Sequence, residues 1–203
     1  MFKILDGACT PKRGTKYSAY VDLFAREDVT IAAGETKIVK LGVKLDMDFF
    51  ESMFNPDKLD FKTAKVGGLY SDDELRIQKH QLHNFLKSHY LEIALRSSLG
   101  VKGLIISNGI GIIDLDYPDE IGLIVHNPVN INKGFYTTGE HSTDLHIRTD
   151  FKDKTSFNIS KGDKVAQCTL KEHKGYLMDY ETETLRTGGF GSTDNKELLN
   201  TDG

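Results

Sequence analysis

Apolar residues gather toward both ends of the chain in short runs, each closed by Gly, Pro, Asn or Asp. The runs span Phe2 to Leu5, Tyr20 to Ala25, Thr36 to Leu45, Leu104 to Ser107, Ile121 to His126 and Lys164 to Leu170. Strand-length pieces separated by turn residues predict an all-β sandwich or barrel. One segment departs from this rhythm. Ser71 and Glu74 form a capping box, and Asp72 and Asp73 suit the positive end of a helix dipole. Leu75, Leu82, Phe85 and Leu86 then recur at helical spacing, with Lys87 and His89 toward the negative end. A helix is predicted over about Ser71 to Ser88, its apolar stripe packed on the β core. Pro56, Gly67 and Gly68 make the stretch from about Phe50 to Gly68 irregular, a polar region from Pro128 to about Phe157 is a second irregular stretch, and no internal repeat is evident.

With 203 residues and 38% hydrophobic content, the chain suits one globular domain carrying insertions. Its net charge of -4 and pI near 6.0 supply no cationic surplus for a nucleic-acid polymer or an anionic membrane surface. A single nucleotide needs only a few local cations. Two cysteines, Cys9 and Cys168, are too few for a disulfide framework and wrongly spaced for a zinc knuckle, which points to a reducing compartment. The first residues reach Lys3, Asp6 and Gly7 too early for a signal peptide, and no apolar run is long enough to span a membrane, so a cytoplasmic location is expected. His80 and His83 share a helix face and His141 and His146 lie in the second irregular stretch, but no cysteine or acid cluster joins them, which favours exposed histidines over a zinc site.

Five segments carry chemistry. Asp22 is the single acid in the apolar run Ala19 to Ala25, a place where a carboxylate often caps a turn or makes a structural salt bridge. Arg96-Ser97-Ser98-Leu99-Gly100 joins a guanidinium to two hydroxyls, a set suited to phosphate oxygens, although such triplets also occur in ordinary loops. From Asn108 to Tyr117, apolar alternation around Gly109 and Gly111 ends in Asp114, Asp116 and Tyr117. Glycines in such a pattern signal a bulge or a ligand approaching the backbone, and Asp114 in an apolar context has to be hydrogen-bonded or functional. Gln167 interrupts the apolar strand that follows the turn at Lys161 to Asp163. Near the C-terminus, Arg186-Thr-Gly-Gly189-Phe190-Gly191-Ser192-Thr193 reads either as a flexible tail or as backbone amides for phosphates beside a ring that stacks on a base.

Taken together and in this order, the segments resemble the five motifs of the trimeric dUTPases: Ala19-Tyr-Val-Asp-Leu-Phe-Ala25, Arg96-Ser-Ser-Leu-Gly100, Gly111-Ile-Ile-Asp-Leu-Asp-Tyr117, Gly162-Asp-Lys-Val-Ala-Gln167 and Gly188-Gly-Phe-Gly-Ser-Thr193. The likeness extends to the linking strands and leaves uncovered two apparent insertions at about 50–87 and 128–157. It implies a dUTPase-like β-barrel of jelly-roll type with an inserted helix near 71–88, a single domain over 1–203, and a mobile C-terminal arm from about 184. It also implies hydrolysis of dUTP to dUMP and pyrophosphate, with Mg²⁺ gripping the triphosphate and Asp114 activating the attacking water. Asn108, with Gly111 and Ile113 of the hairpin, would receive the uracil, and Tyr117 would lie against the deoxyribose. Arg96, Ser97, Ser98 and Gln167 would hold phosphates, and Asp22 would reach the metal through water. Phe190 would stack on the base while Arg186, Gly189, Gly191, Ser192 and Thr193 close the tail over the phosphates. The resemblance further implies a homotrimer that shares its sites between subunits, and, for a phage-type member, a host cytoplasm.

Local departures from the family pattern are Tyr20-Val21 before the first acid, Leu95 before Arg96, Asp119, Arg186 set one residue nearer the glycines, and Asp194. Two other readings stay open. A dCTP deaminase, alone or bifunctional, shares the fold and an Arg-Ser-Ser motif, although the glycine-rich tail and the Asp114 hairpin favour the hydrolase. A regulatory protein of the same fold would instead act on a protein partner through the two insertions.

Overall fold

The computed structural model describes residues 1–54, 72–130, 135–136, 146–147 and 155–178. The predicted runs become strands because β-branched and apolar residues alternate with polar ones between turn-forming positions. They are β1 (Phe2–Ile4), β2 (Lys12–Arg13), β3 (Val21–Phe24), β4 (Val29–Ile31), β5 (Thr36–Lys40) and β6 (Val43–Leu45). Two helices follow, α1 (Met47–Met53) and α2 (Asp72–Ser88), then β7 (His89–Leu95), the short α3 (Ser97–Val101), β8 (Ile105–Ile106), β9 (Gly111–Asp114) and β10 (Gly122–His126). Beyond them come β11 (Phe135–Tyr136), β12 (His146–Ile147), β13 (Phe157–Ile159) and β14 (Lys164–Glu172).

The largest sheet has the order β2-β3-β14-β7-β9, and a three-stranded sheet has the order β5-β10-β8. The pairs β1-β6, β4-β13 and β11-β12 complete the set, and every described pairing is antiparallel. No single ladder closes on itself among the described residues. The sheets stack as the layers of a jelly-roll type fold, and the core lies between them. Leu23, Leu91, Ile93, Ala166 and Cys168 from the large sheet meet Val39, Leu123 and Val125 from the three-stranded one, all essentially inaccessible to solvent. Each such aliphatic side chain stabilises the fold by roughly 1.5 to 3 kcal/mol. Burial also pushes the Cys168 thiol up to about 12, so this cysteine behaves as a small apolar residue.

The helix predicted near 71–88 forms as α2, and Leu82, Phe85 and Leu86 pack against the core as its stripe requires. Ser71 and the side chains of Glu74 and Leu75 fall outside the described residues. At the far end Ser88 donates from Oγ to the Asn84 carbonyl at 2.7 Å, and His89 Nδ1 lies 3.1 Å from the Phe85 carbonyl, which satisfies acceptors that the last turn leaves over.

The stretch beginning at Phe50, read as irregular, starts instead within α1. Phe50 is fully buried, with its ring centroid 5.9 Å from that of Phe85. The helix is too short to show a clear period in sequence, and its formation follows from the site where Phe50 and Phe85 meet. The interior strand β7 is absent from the predicted runs because polar and buried positions mix along it: Glu92 is buried alongside Leu91 and Ile93. The polar region after Pro128 contains the two-stranded ribbon β11-β12 and, at its end, β13.

One glycine sets the approach of the sheets near the third motif. Gly42 has φ +67°, and a Cβ there would fall 2.2 Å from the Ala8 Cβ. Its N–H donates to Glu120 Oε1 at 2.9 Å, while Glu120 Oε2 accepts from Arg26 at 2.8 Å. No helix among the described residues is long and apolar enough to cross a membrane.

Candidate active site

The site begins with strand register. On β3, Asp22 stands directly across from Gln167 of β14, which in turn stands across from Ala94 of β7. Antiparallel partners share a face, so Asp22 and Gln167 lie side by side on the outer face of the sheet. Arg96 follows the end of β7, its backbone N–H donating to the Val165 carbonyl at 3.1 Å. From there its guanidinium pairs with Asp22 Oδ1. Lys164 Nζ stands 3.0 Å from Oδ2, an ion-pair contact without the alignment of a hydrogen bond. The Asp22 side chain is only 4% exposed, and a carboxylate so buried requires cations beside it. Two cations contact the one carboxylate, and Lys12 of β2 stands across from Asp22 on the same face, so among the described residues the cluster is cationic. Asp22 Oδ2 and Arg96 Nε are both buried with no aligned partner among the described residues. Ser97 and Ser98 follow Arg96 and are exposed. The structure therefore brings together Asp22, Arg96, Ser97, Ser98 and Gln167.

A second set lies behind the turn that joins β8 to β9; the segment read as a hairpin is not a paired one, since β8 pairs with β10 and β9 with β7. Asn108 and Gly109 make that turn, Gly109 at φ +74° with the Ile110 N–H donating to the Asn108 carbonyl at 2.8 Å. Behind it is a cavity of about 110 Å³ lined by Asn108, Gly111, Ile113 and Tyr117, together with Ile93, Ile106, Ile112 and Gly122 to Ile124. Only the first four were expected, since the others read as ordinary strand positions. Gly111 was read as a place where a ligand approaches the backbone. The close neighbour in the fold is Ile93, whose Cβ would lie 3.1 Å from a Cβ at this position. Tyr117 is buried, and its N–H donates to the Asp114 carbonyl at 3.0 Å. Asp114 ends β9 opposite Tyr90 and is exposed, because Ile113 and Leu115 turn inward and leave the acid on the outer face.

Asp114 and Arg96 stand apart within one chain. Asp114 is level with Tyr90, six residues along β7 from Arg96, a separation of roughly 20 Å at strand rise. Arg186, Gly189, Phe190, Gly191, Ser192 and Thr193 of the fifth motif lie outside the described residues. Lys164, three residues before Gln167, was not singled out in the sequence. Its signal was a cation in a motif strand, but alternation alone would have turned it toward the core.

Between the two sets lies a cluster that sequence reasoning also missed. Glu92 is 8% exposed; the Tyr20 hydroxyl donates to it, as does that of Tyr90 at 3.2 Å, and Lys171 Nζ is 3.8 Å away. The bond to Glu92 raises the Tyr20 pKa above its ordinary value, and burial followed by the bond to Glu92 raises that of Tyr90. Among the described residues, no group of three His, Cys, Asp or Glu side chains could hold a metal.

No family model matches the chain. It is 28% identical over 191 residues to the deoxyuridine 5'-triphosphate nucleotidohydrolase of Rickettsia felis, covering 90% of this chain and 86% of that one. The Variola virus protein of the same name is 28% identical over 191 residues, covering 92% and 86%, and that of Lactococcus lactis 28% over 188, covering 92% and 89%. Among solved structures, the dUTPase from phage phi11 of S. aureus matches with a TM-score of 0.53 at 18% identity, covering 95% of this chain and 97% of that one. A variant of the Staphylococcus bacteriophage 80alpha dUTPase with dUpNHpp matches with a TM-score of 0.52 at 18% identity, over 95% and 97%. At that identity the likeness is one of fold. The sequence relatives, deoxyuridine 5'-triphosphate nucleotidohydrolases, are matched over some nine-tenths of this chain's length, and the ordered motifs fall within that likeness.

Proposed function

We propose that the protein is a dUTP diphosphatase, cleaving dUTP to dUMP and pyrophosphate and so keeping uracil out of DNA. The observation that carries this reading is the cavity behind the turn between β8 and β9. Four residues assigned to the nucleoside from sequence, Asn108, Gly111, Ile113 and Tyr117, line one space of about 110 Å³. Asn108 would read the edge of the uracil, and Tyr117 would lie against the deoxyribose and leave no room for a 2′-hydroxyl.

The Asp22 cluster suits the other end of the nucleotide. Its net positive charge attracts a triphosphate, the unfilled Arg96 Nε donor fits a phosphate oxygen, and Ser97, Ser98 and Gln167 supply further donors. Mg²⁺ fits this donor set only as an ion carried by the phosphates. Among the described residues Asp22 is the single acid in the cluster, one of its oxygens facing Arg96 and the other Lys164, so it would reach the ion only through a water. Bound there, the ion would neutralise charge on the triphosphate. Asp114 would orient the attacking water and take its proton, and the fifth motif, with Phe190 and Arg186, would close over the substrate.

The separation of Asp114 from Arg96 gives a reason for assembly. Attack at the α-phosphorus needs the base and the phosphate donors within a few ångströms of one atom, so a second copy must bring its own Asp114 to the first copy's Asp22 cluster, as a homotrimer with shared sites would. α2 contributes no residue to either set, which favours a supporting role over a regulatory one.

Pyrophosphate release measured across dUTP, dCTP, dTTP and UTP with Mg²⁺ tests the proposal. Release from dUTP alone is expected. Ammonia from dCTP would establish the deaminase reading in its place, and no release from any of the four would overturn the enzymatic one.

A further inference from the structure

We propose that Lys164 is a positioning residue of the phosphate cluster, turned onto Asp22 by a β-bulge so that its charge keeps Arg96 available to an anion; this rests on the dUTP reading above. Between β14 and β3 the register runs Gln167 to Asp22 and Ala166 to Leu23, then Lys164 to Phe24. Two residues advance on β14 against one on β3, which leaves Val165 as the extra residue of a bulge. The consequence is one of facing. In an unbroken strand Lys164 would share the inward face of Ala166 and Cys168. With the bulge it shares a face with Phe24, Asp22 and Gln167, and its Nζ reaches Asp22 Oδ2 at 3.0 Å. The same bulge residue accepts the Arg96 backbone N–H through its carbonyl, so one irregularity sets both cations on one carboxylate.

The charge balance gives that arrangement a purpose. Lys12 stands across from Asp22 in register, but Arg96 and Lys164 are the cations in contact with the carboxylate, and without Lys164 the guanidinium would be committed to it alone. Lys164 compensates Asp22 from its second oxygen and leaves the cluster cationic. Its side chain is 47% exposed, so the ammonium lies where an arriving polyanion passes, and replacing it opens no core space.

The test uses the full-length protein and the variants Lys164→Met and Lys164→Arg. Three quantities are measured: the kcat and KM for dUTP, the binding of inorganic tripolyphosphate, and the binding of deoxyuridine, which carries no phosphate. Lys164→Met is expected to raise KM and weaken tripolyphosphate binding by roughly tenfold, the scale of one charge-assisted contact. Its kcat should stay within about threefold, as for a loss of uniform binding. Deoxyuridine binding should not change, and Lys164→Arg should restore the phosphate affinity. Lys164→Gln serves for the same measurements if the methionine variant does not fold. Wild-type tripolyphosphate affinity in a folded, uncharged variant would overturn the inference, as would an equal loss of deoxyuridine binding, which marks a merely structural role. If wild-type protein binds tripolyphosphate in a Lys164-dependent way yet does not hydrolyse dUTP, the dUTP reading fails and this inference stands.

Discussion

On the outer face of the five-stranded sheet, Arg96 and Lys164 hold Asp22 by charge, whereas behind the turn between β8 and β9 Gly111, Ile113 and Tyr117 line a cavity shaped by packing. The first region buries a carboxylate and depends on each of its cations, because removing one partner of a buried pair leaves an uncompensated charge. The second buries almost no charge and depends on shape, so a misplaced methyl group matters more than a lost ion. A nucleotide has the same division, with a charged end and a ring that is recognised by fit.

Asp114 belongs to neither mode of binding, and its replacement separates holding from reacting. Asp114→Asn is expected to lower turnover by about a hundredfold or more while dUTP binding persists, the scale of a lost general base. Single-turnover kinetics beside equilibrium binding checks this, and near-normal turnover would remove Asp114 from the mechanism.

Arg96→Met probes the charged region. It leaves Asp22 buried with Lys164 alone and should cost about 2 kcal/mol in urea unfolding, below the full cost of breaking a buried pair because one cation remains. Tripolyphosphate binding should fall in parallel, and deoxyuridine binding should not. If the nucleoside is lost as well, the two regions are not independent.

The matching probe of the packed region is Gly111→Ala. A Cβ here would lie 3.1 Å from Ile93 Cβ and 3.3 Å from its carbonyl oxygen, so β9 and β7 must part slightly, at about 1 to 2 kcal/mol. Deoxyuridine affinity should fall while tripolyphosphate affinity holds, the reverse of Arg96→Met. Unchanged affinity for both ligands would show that the cavity does not take the base.

The smallest effect concerns Glu92, which lies between the regions. Tyr20 has a folded-state pKa raised above the ordinary value of about 10. Its protonated form is therefore favoured by folding, and the stability it contributes is present below the unfolded-state pKa and lost as pH rises through the raised one. Urea midpoints should decline across that alkaline range, and Tyr20→Phe should flatten the decline. A decline of equal size in the variant would assign it to other groups.

The strand-like runs and the helix at α2 were legible in sequence because each leaves a local signal, alternation or a 3.6-residue stripe, and the candidates Asp22, Arg96, Gln167 and Asn108 to Tyr117 stand out as polar residues or glycines set among apolar ones. The α1 helix and the burial of Phe50 left no such signal, since they follow from the meeting of Phe50 with Phe85. Strand β7 was hidden for a related reason. Glu92 looks like a surface residue until Tyr20 and Tyr90 supply the donors that let it be buried.

What the sequence by itself determined was which residue types the site contains and the order in which they occur, because the chemistry of phosphate, base and water restricts the side chains that serve each. Only the tertiary structure decided which of them meet. Pairing β3 with β14 and β7 places Asp22, Gln167 and Arg96 together, the bulge at Val165 adds Lys164, and the length of β7 keeps Asp114 apart. Register and bulges are set by packing between strands distant in the chain, and no local pattern records them.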